Sequence, residues 1–283
     1  MENKDNNFGG FWTERKINIF IKYLKAYLKI LNNTSFKLIY FDGFAGSGYI
    51  KAKNNSVIEG VALKVLSIDE PKEFDIYYLV ELDKNKCSEL GIILKDQFPL
   101  KERKIFCVSQ DCNKKLIDLS VFLKDNRFHR ALVFIDPKGM QLKWNSLEHL
   151  KDLGVDIWLL IPTGMGVTRL LSKDGSKLSP GFLNKLREFL GMSEEEIMNY
   201  FYKKKTDDTL FGEESHLVKE KNINQKAINL IKDKLKKIFK YTSEPFPMKN
   251  NKNSLMYHFI YASNNKNGLK IANDIIGKEL TNQ

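Results

Sequence analysis

The sequence predicts an α/β protein built on a doubly wound, mostly parallel sheet, and three observations carry that expectation. Five short apolar runs, at residues 36–41, 76–80, 104–108, 130–135 and 155–161, alternate with helical patterns. The runs are apolar on both faces, as strands covered by helices on both sides must be. The first run ends in Asp42-Gly43-Phe44-Ala45-Gly46-Ser47-Gly48. That is a glycine loop at the carboxyl end of a strand, where sheets of this kind bind ligands and where glycine lets the backbone turn sharply and approach them.

The 283-residue chain is 42% hydrophobic, enough for a sizeable core, and reads as one main domain with an insertion. It carries 46 Lys+Arg against 35 Asp+Glu, a net charge of +11. That balance suits a polyanionic partner such as RNA or DNA; a lysine-rich solvated surface has the same composition. The start, MENKDNNFGGFW, has no apolar signal core, and no window has the unbroken apolar length of a membrane span, so a soluble, cytoplasmic protein is expected. Cys87, Cys107 and Cys112 are odd in number and lack CxxC spacing, and His129, His149, His216 and His258 stand singly. Neither a disulfide framework nor a metal site is expected.

In chain order, Thr13 is a plausible N-cap for a helix to about Leu31, with Ile17, Phe20, Ile21, Leu24 and Leu28 at helical spacing. After the glycine loop, residues 49–55 read as a polar basic loop. Ser56 and Glu59 then form a capping-box pattern at the start of a helix to about Ser67. The second strand ends at Glu81 and is followed by a helix at 83–94. The third closes at Asp111, and the fourth, intensely apolar, ends in Asp136-Pro137-Lys138-Gly139. Asn145 and Glu148 suggest another capping box before a helix to about Leu153, and the fifth strand ends at Pro162-Thr163-Gly164.

Beyond Val167 the pattern changes to short helices at 180–190, at 193–201 with Ser193 and Glu196 as a capping box, and at 224–239. From Tyr200 to Ser243 there are eleven Lys and six Asp+Glu, a local net of +5. A cationic helical insertion beside a binding face reads as a substrate lid or nucleic-acid contact, or as a solvated face. The tail returns to strand chemistry at 240–247 and 255–262 around an Asn-rich turn at 250–254, and a helix at 269–280 closes it. Three parts follow: an N-terminal helix with a Rossmann-like core (1–167), a helical basic insertion (168–239), and a terminal hairpin and helix completing the core (240–283).

Parallel strands closed by an antiparallel hairpin are the element order of class I S-adenosylmethionine (SAM) methyltransferases, which implies a seven-stranded sheet. Acidic residues at the ends of the first four strands are costly without partners, and each has a task in a SAM site. The amino-acid moiety would lie on Asp42, Phe44, Ala45, Gly46 and Gly48. Glu81 would accept from both ribose hydroxyls and Asp111 from the adenine amino group, while Asp136 with Pro137 would sit where the methyl group meets its acceptor.

DGFAGSG resembles the DxFAGxG variant of methyltransferase motif I, and DPKG occupies the place of the catalytic (D/N)PP(Y/F) motif. The combination of FGGFWTERK, YFDGFAGSG, VELD, FIDPKGMQLKW and YHFIYASNNKNGLKI resembles the three-Cys-motif partner protein family, TcmP, over most of the chain. That resemblance implies a SAM-dependent enzyme working beside a separate three-cysteine protein similar to radical-SAM enzymes, often in mobile or phage-related gene neighbourhoods. The cysteines of this chain are not that motif.

In amine-methylating enzymes of this pattern the acidic residue and the following proline carbonyl accept from an exocyclic amine, and the final aromatic stacks on a flipped base. Lys138-Gly139 offers no aromatic, so stacking would fall to Trp144, Tyr49 or a partner. Methylation of a cytosine ring carbon needs a thiolate, usually after proline, and there is no Pro-Cys. The leading expectation is a SAM-dependent methyltransferase acting on nucleic acid, at an exocyclic amine or similar acceptor. The alternatives are a SAM-binding, catalytically silent scaffold subunit and a dinucleotide-binding α/β enzyme.

Overall fold

The computed structural model describes residues 11–51, 57–209 and 212–281. The elements are α1 (Phe11–Leu31), β1 (Lys37–Asp42), β2 (Tyr49–Lys51), β3 (Val57–Glu59), α2 (Val61–Leu66), β4 (Ile76–Val80), α3 (Lys84–Gln97), β5 (Ile105–Val108), α4 (Cys112–Asp125), β6 (His129–Ile135), α5 (Trp144–Glu148) and β7 (Val155–Ile161). The insertion adds α6 (Thr168–Leu170), α7 (Pro180–Leu190), α8 (Glu194–Phe201), β8 (Tyr202–Thr209), β9 (Gly212–Lys219) and α9 (Ile223–Leu235). The chain then runs through β10 (Tyr241–Thr242), β11 (Phe246–Lys249), β12 (Leu255–Ser263) and α10 (Lys266–Thr281).

The main sheet has the order β10-β12-β7-β6-β1-β4-β5, with β11 also pairing with β12. Strands β5, β4, β1, β6 and β7 are parallel, and β12 enters antiparallel beside β7, its His258 opposite Ile161 and its Ser263 opposite Asp156. β10 and β11 are two halves of one edge position, both antiparallel to β12. Ser243 lies at the break, and its Oγ accepts from the Tyr261 amide at 3.0 Å where a continuous ladder would have used the backbone. The sheet therefore has the expected seven strand positions, the last split in two.

Every residue of β7 is buried, as are five of the six in β1, which is why these runs lack period-two alternation. One face packs against α1, α2, α3 and α10 through Phe20, Leu24, Leu63, Leu90 and Ile276. The other packs against α4, α5, α7, α8 and α9 through Leu116, Leu147, Phe189, Phe201 and Ile231. The chain winds outward through β4 and β5, then crosses back to β6 on the other side of β1. The switch point lies between β1 and β6, whose carboxyl ends carry Asp42 and Asp136.

Several local expectations need correction. Thr13 does not cap α1; the helix already includes Phe11, and Thr13 is buried within it. Ser56 lies outside the described residues, and Val57–Glu59 is a strand paired with Tyr49–Lys51 rather than the first turn of a helix. Helix α2 starts after Gly60, which has no side chain to cap it and whose backbone closes the glycine loop. Its amide donates to the Gly48 carbonyl at 2.7 Å, and a Cβ at Gly60 would fall 2.7 Å from that same oxygen.

Asn145 and Glu148 are not a capping box either. They lie inside α5, whose N-cap is Lys143 and which ends at Glu148. The capping acceptor comes from another helix: Asn113 Oδ1 accepts from the Lys143 amide at 2.7 Å and from the Ser146 hydroxyl at 3.0 Å. Within the insertion α7, α8 and α9 lie at the stretches expected to be helical, and Ser193 and Glu196 form a capping box. Between α8 and α9, however, the lysine-rich stretch is the antiparallel hairpin β8–β9. In the terminal hairpin, Asn250 Oδ1 accepts from the amides of Lys252 and Ser254, each at 3.0 Å, which is the turn chemistry its asparagines imply.

Candidate functional site

Asp42 is the last residue of β1 and is 1% exposed. Its Oδ2 accepts from the Tyr40 hydroxyl at 2.9 Å and its Oδ1 from the Phe44 amide at 3.0 Å, so the carboxylate bends the chain back over the strand end. Burial pushes this carboxyl up to about 7, against the opposing pull of those two hydrogen bonds. The loop then passes through Gly46 (φ +68°) and Gly48 (φ +90°), both in the left-handed region that disfavours side chains. A Cβ on Gly46 would meet nothing within 4 Å, so the space above the loop is open.

The loop is pinned to the next strand end. The Ala45 amide donates to the Val80 carbonyl at 2.9 Å, and the Gly46 amide donates to Glu81 Oε2 at 3.0 Å. Glu81 Oε1 accepts from the Asp83 amide, also at 3.0 Å, while Asp83 itself caps α3. One strand further out, Asp111 is exposed and caps α4, its Oδ1 accepting from the Asn113 amide at 2.6 Å. Asp42, Phe44, Ala45, Gly46 and Glu81 thus lie on one hydrogen-bonded pair of strand ends, with Gly48 bonded to Gly60 and Asp111 at the neighbouring strand end. The glycine cradle and its carboxylate rim fit a ligand bearing hydroxyls and amino groups.

Across the switch point, Asp136 follows β6 and Pro137 is buried behind it. Asp136 Oδ2 accepts from the ammonium group of Lys16, a residue of α1 that belongs to none of the strand-end motifs. The lysine side chain is 4% exposed and the aspartate 25%. Lys16 also lies 5.4 Å from the ring centroid of Trp12, which stacks on Tyr257 of β12 with centroids 5.2 Å apart. The Asp136 and Lys16 charges both act on Asp42, the first raising and the second lowering its proton affinity. Burial, helped by the charge of Asp136, raises the Tyr257 hydroxyl to about 12. Lys16 was legible in principle: it stands on the apolar stripe of α1, one turn before Phe20 and two before Tyr23 and Leu24.

Of the aromatics expected to stack on an acceptor, Trp144 is 3% exposed, packed against Gly191 and under the Lys234 ammonium, so its ring is not available. Tyr49 is 37% exposed, with its hydroxyl accepting from Gln97 at 2.8 Å. On the insertion, Lys203, Lys204 and Lys205 of β8 are exposed. The hairpin is tied to the segment leaving β7 by the Lys219 amide to the Lys173 carbonyl (3.0 Å) and the Tyr202 hydroxyl to the Ser172 carbonyl (3.1 Å).

A cavity of about 560 Å³ opens at the opposite, amino-terminal ends of β6 and β7, lined by Tyr27, Arg130, Asp156 and Asn264. The Asp156 carboxylate there accepts from Tyr23 at 2.6 Å and from Ser263, which satisfies it within the fold.

The class that this fold defines is the class I methyltransferase-like α/β fold: a parallel sheet with one antiparallel strand inserted next to its edge and a glycine loop after the first strand. No family model and no curated protein matches the chain in sequence. Among solved structures it is similar to a Legionella pneumophila protein described by the family model DUF519, with 15% identity over 89% of this chain and 97% of that one, and a TM-score of 0.42. It is also similar to Trm1 from Pyrococcus horikoshii in complex with S-adenosyl-L-methionine (11% identity, 97% of this chain, TM-score 0.43) and to the DszA carbon methyltransferase (14%, 90%, 0.49). The chain spans 61% and 55% of the lengths of these last two. Among the described residues no helix is long and apolar enough to cross a membrane.

Proposed function

We propose that the protein is a SAM-dependent methyltransferase acting on nucleic acid, with the three-Cys-motif protein of the TcmP resemblance as its partner. The reading rests on one observation above the others. Carboxylates stand at the carboxyl ends of four adjacent strands, Asp42, Glu81, Asp111 and Asp136, around a glycine loop with open space above it. Bound there, SAM supplies an electrophilic methyl group on a sulfonium sulfur. The loop from Asp42 to Gly48 would carry its amino-acid end, Glu81 its ribose and Asp111 its adenine. Asp136, with Pro137 fixing the chain beyond it, would orient the methyl acceptor. The exposed lysines of β8 would hold the phosphate backbone.

The antiparallel β12, set between β7 and the edge, departs from the mostly parallel sheet of dinucleotide-binding enzymes. A second reading, a SAM-binding scaffold subunit, is favoured by the Lys16 ammonium on Asp136 and by the missing aromatic after Pro137. Calorimetry with SAM, its demethylated product and NAD tests the cofactor. Transfer of labelled methyl to total RNA and DNA, with and without the partner, separates enzyme from scaffold: label in neither leaves the scaffold reading.

A further inference from the structure

We infer that the acceptor at Asp136 is a hydroxyl, which on a nucleic acid is the ribose 2′-hydroxyl of RNA, and that Lys16 is the positioning residue that selects it. The inference rests on the methyltransferase reading above and narrows it.

In the exocyclic-amine pattern an Asp or Asn oxygen faces a nitrogen that becomes cationic as the methyl group arrives, so a cation held beside it opposes that reaction. In this protein such a cation is present. Helix α1 brings Lys16 to Oδ2 of Asp136, and the ammonium is almost wholly buried. A buried ammonium beside the reaction centre disfavours an acceptor that gains positive charge and favours one that sheds a proton. A hydroxyl behaves in the second way, passing to a neutral ether without a cationic stage.

Geometry agrees with the charge argument. Asp136 Oδ1 has no hydrogen-bond partner among the described residues, so one acceptor atom is left for an O–H donor while Oδ2 is held by Lys16. As the acceptor oxygen would bond to the methyl carbon, that carbon's bond to sulfur would break with the electron pair staying on sulfur, and the hydroxyl proton, oriented by Oδ1, would pass to water at this partly exposed carboxylate rather than stay beside the ammonium. The other departure from the amine pattern has the same explanation. Lys138-Gly139 supplies no ring for a flipped base, and a ribose hydroxyl needs none, because the base can stay out of the pocket. Internal positions of DNA carry no hydroxyl, so the inference also selects RNA.

The experiment pairs methylation with binding, using the full chain and, where transfer needs it, its partner. Labelled methyl from SAM should enter RNA and not DNA, and should appear after alkaline hydrolysis in resistant dinucleotides, since a methylated 2′-oxygen cannot attack the neighbouring phosphate. With the demethylated cofactor bound, the protein should bind RNA about tenfold or more tightly than DNA of the same sequence, and Lys16→Met should reduce that preference. Lys16→Met should lower kcat about a hundredfold or more with SAM affinity unchanged, and Lys16→Arg should restore part of it, which a merely structural lysine would not require of kcat alone. Label on a base, in RNA or DNA, overturns the hydroxyl assignment and leaves the methyltransferase reading standing. SAM binding with no transfer to either nucleic acid overturns the inference in favour of the scaffold, and absence of SAM binding overturns both.

Discussion

Gly46 donates its main-chain amide to Glu81 at 3.0 Å, and the other oxygen of the same carboxylate accepts from the Asp83 amide at 3.0 Å. One side chain therefore couples the glycine loop after β1 to the turn after β4. A glutamine at this position has a single acceptor oxygen, so Glu81→Gln leaves one of the two amides without its partner. SAM affinity should fall by roughly 1.5 to 3 kcal/mol, the worth of a hydrogen bond to a charged group. Calorimetry showing unchanged affinity would remove Glu81 from the cofactor site.

Asp42 carries a pH dependence of known sign. Its folded carboxyl is raised to about 7 by burial, so its contribution to stability is fully present below the unfolded value near 4 and is lost as pH rises through 7. The full span is on the order of 4 kcal/mol. Denaturant melts between pH 4 and 8 should show Asp42→Asn losing less stability with rising pH than the wild type does. Parallel curves would mean that the carboxyl is ionised in the fold.

His258 works in the opposite direction. Buried on β12, with its Nδ1 2.9 Å from the Thr163 hydroxyl, it is pushed down to about 4 by burial. Its neutral form is native, so stability is intact above the unfolded value near 6.5 and declines as pH falls toward 4, by about 3 kcal/mol in all. His258→Gln should flatten the acid limb of the stability curve. An acid limb as steep as that of the wild type would assign the loss to other groups.

The Lys16–Asp136 pair makes single and double replacements differ. Asp136→Ala strands a buried ammonium and should cost roughly 3 to 5 kcal/mol of stability, whereas Lys16→Met with Asp136→Ala should recover much of that loss. Asp136→Asn keeps an acceptor for Lys16 and is the variant for testing activity without unfolding. Strictly additive melting data would show that the two side chains do not interact in solution.

Nucleic-acid affinity should fall steeply with added salt through counterion release. If Lys203, Lys204 and Lys205 each neutralise a phosphate, replacing all three by alanine should flatten the logarithmic salt slope by roughly 2 to 3. A slope that does not change would place the contact elsewhere.

Much of the fold was legible because its signals are local. The runs at 76–80 and 155–161 coincide with β4 and β7, and the glycine loop and Ser193 capping box lie where their residues imply. Two of the failures trace to a partner outside the local pattern, and the third to a hairpin without an apolar signal. Gly60 serves Gly48 rather than its own helix, Asn113 caps a helix thirty residues away, and the β8–β9 lysines pair across a hairpin whose strands show no apolar alternation.

The same division runs through the site. Which strand ends carry carboxylates is written locally, because a buried parallel strand and the glycine turn after it are set by neighbouring residues. Whether those carboxylates are free or occupied depends on long-range packing. Glu81 is bound by the amides of Gly46 and Asp83, and Asp136 by an ammonium from residue 16, one hundred and twenty positions earlier. Charge pairing of that kind depends on how α1 packs against the sheet, and no spacing in the sequence encodes it.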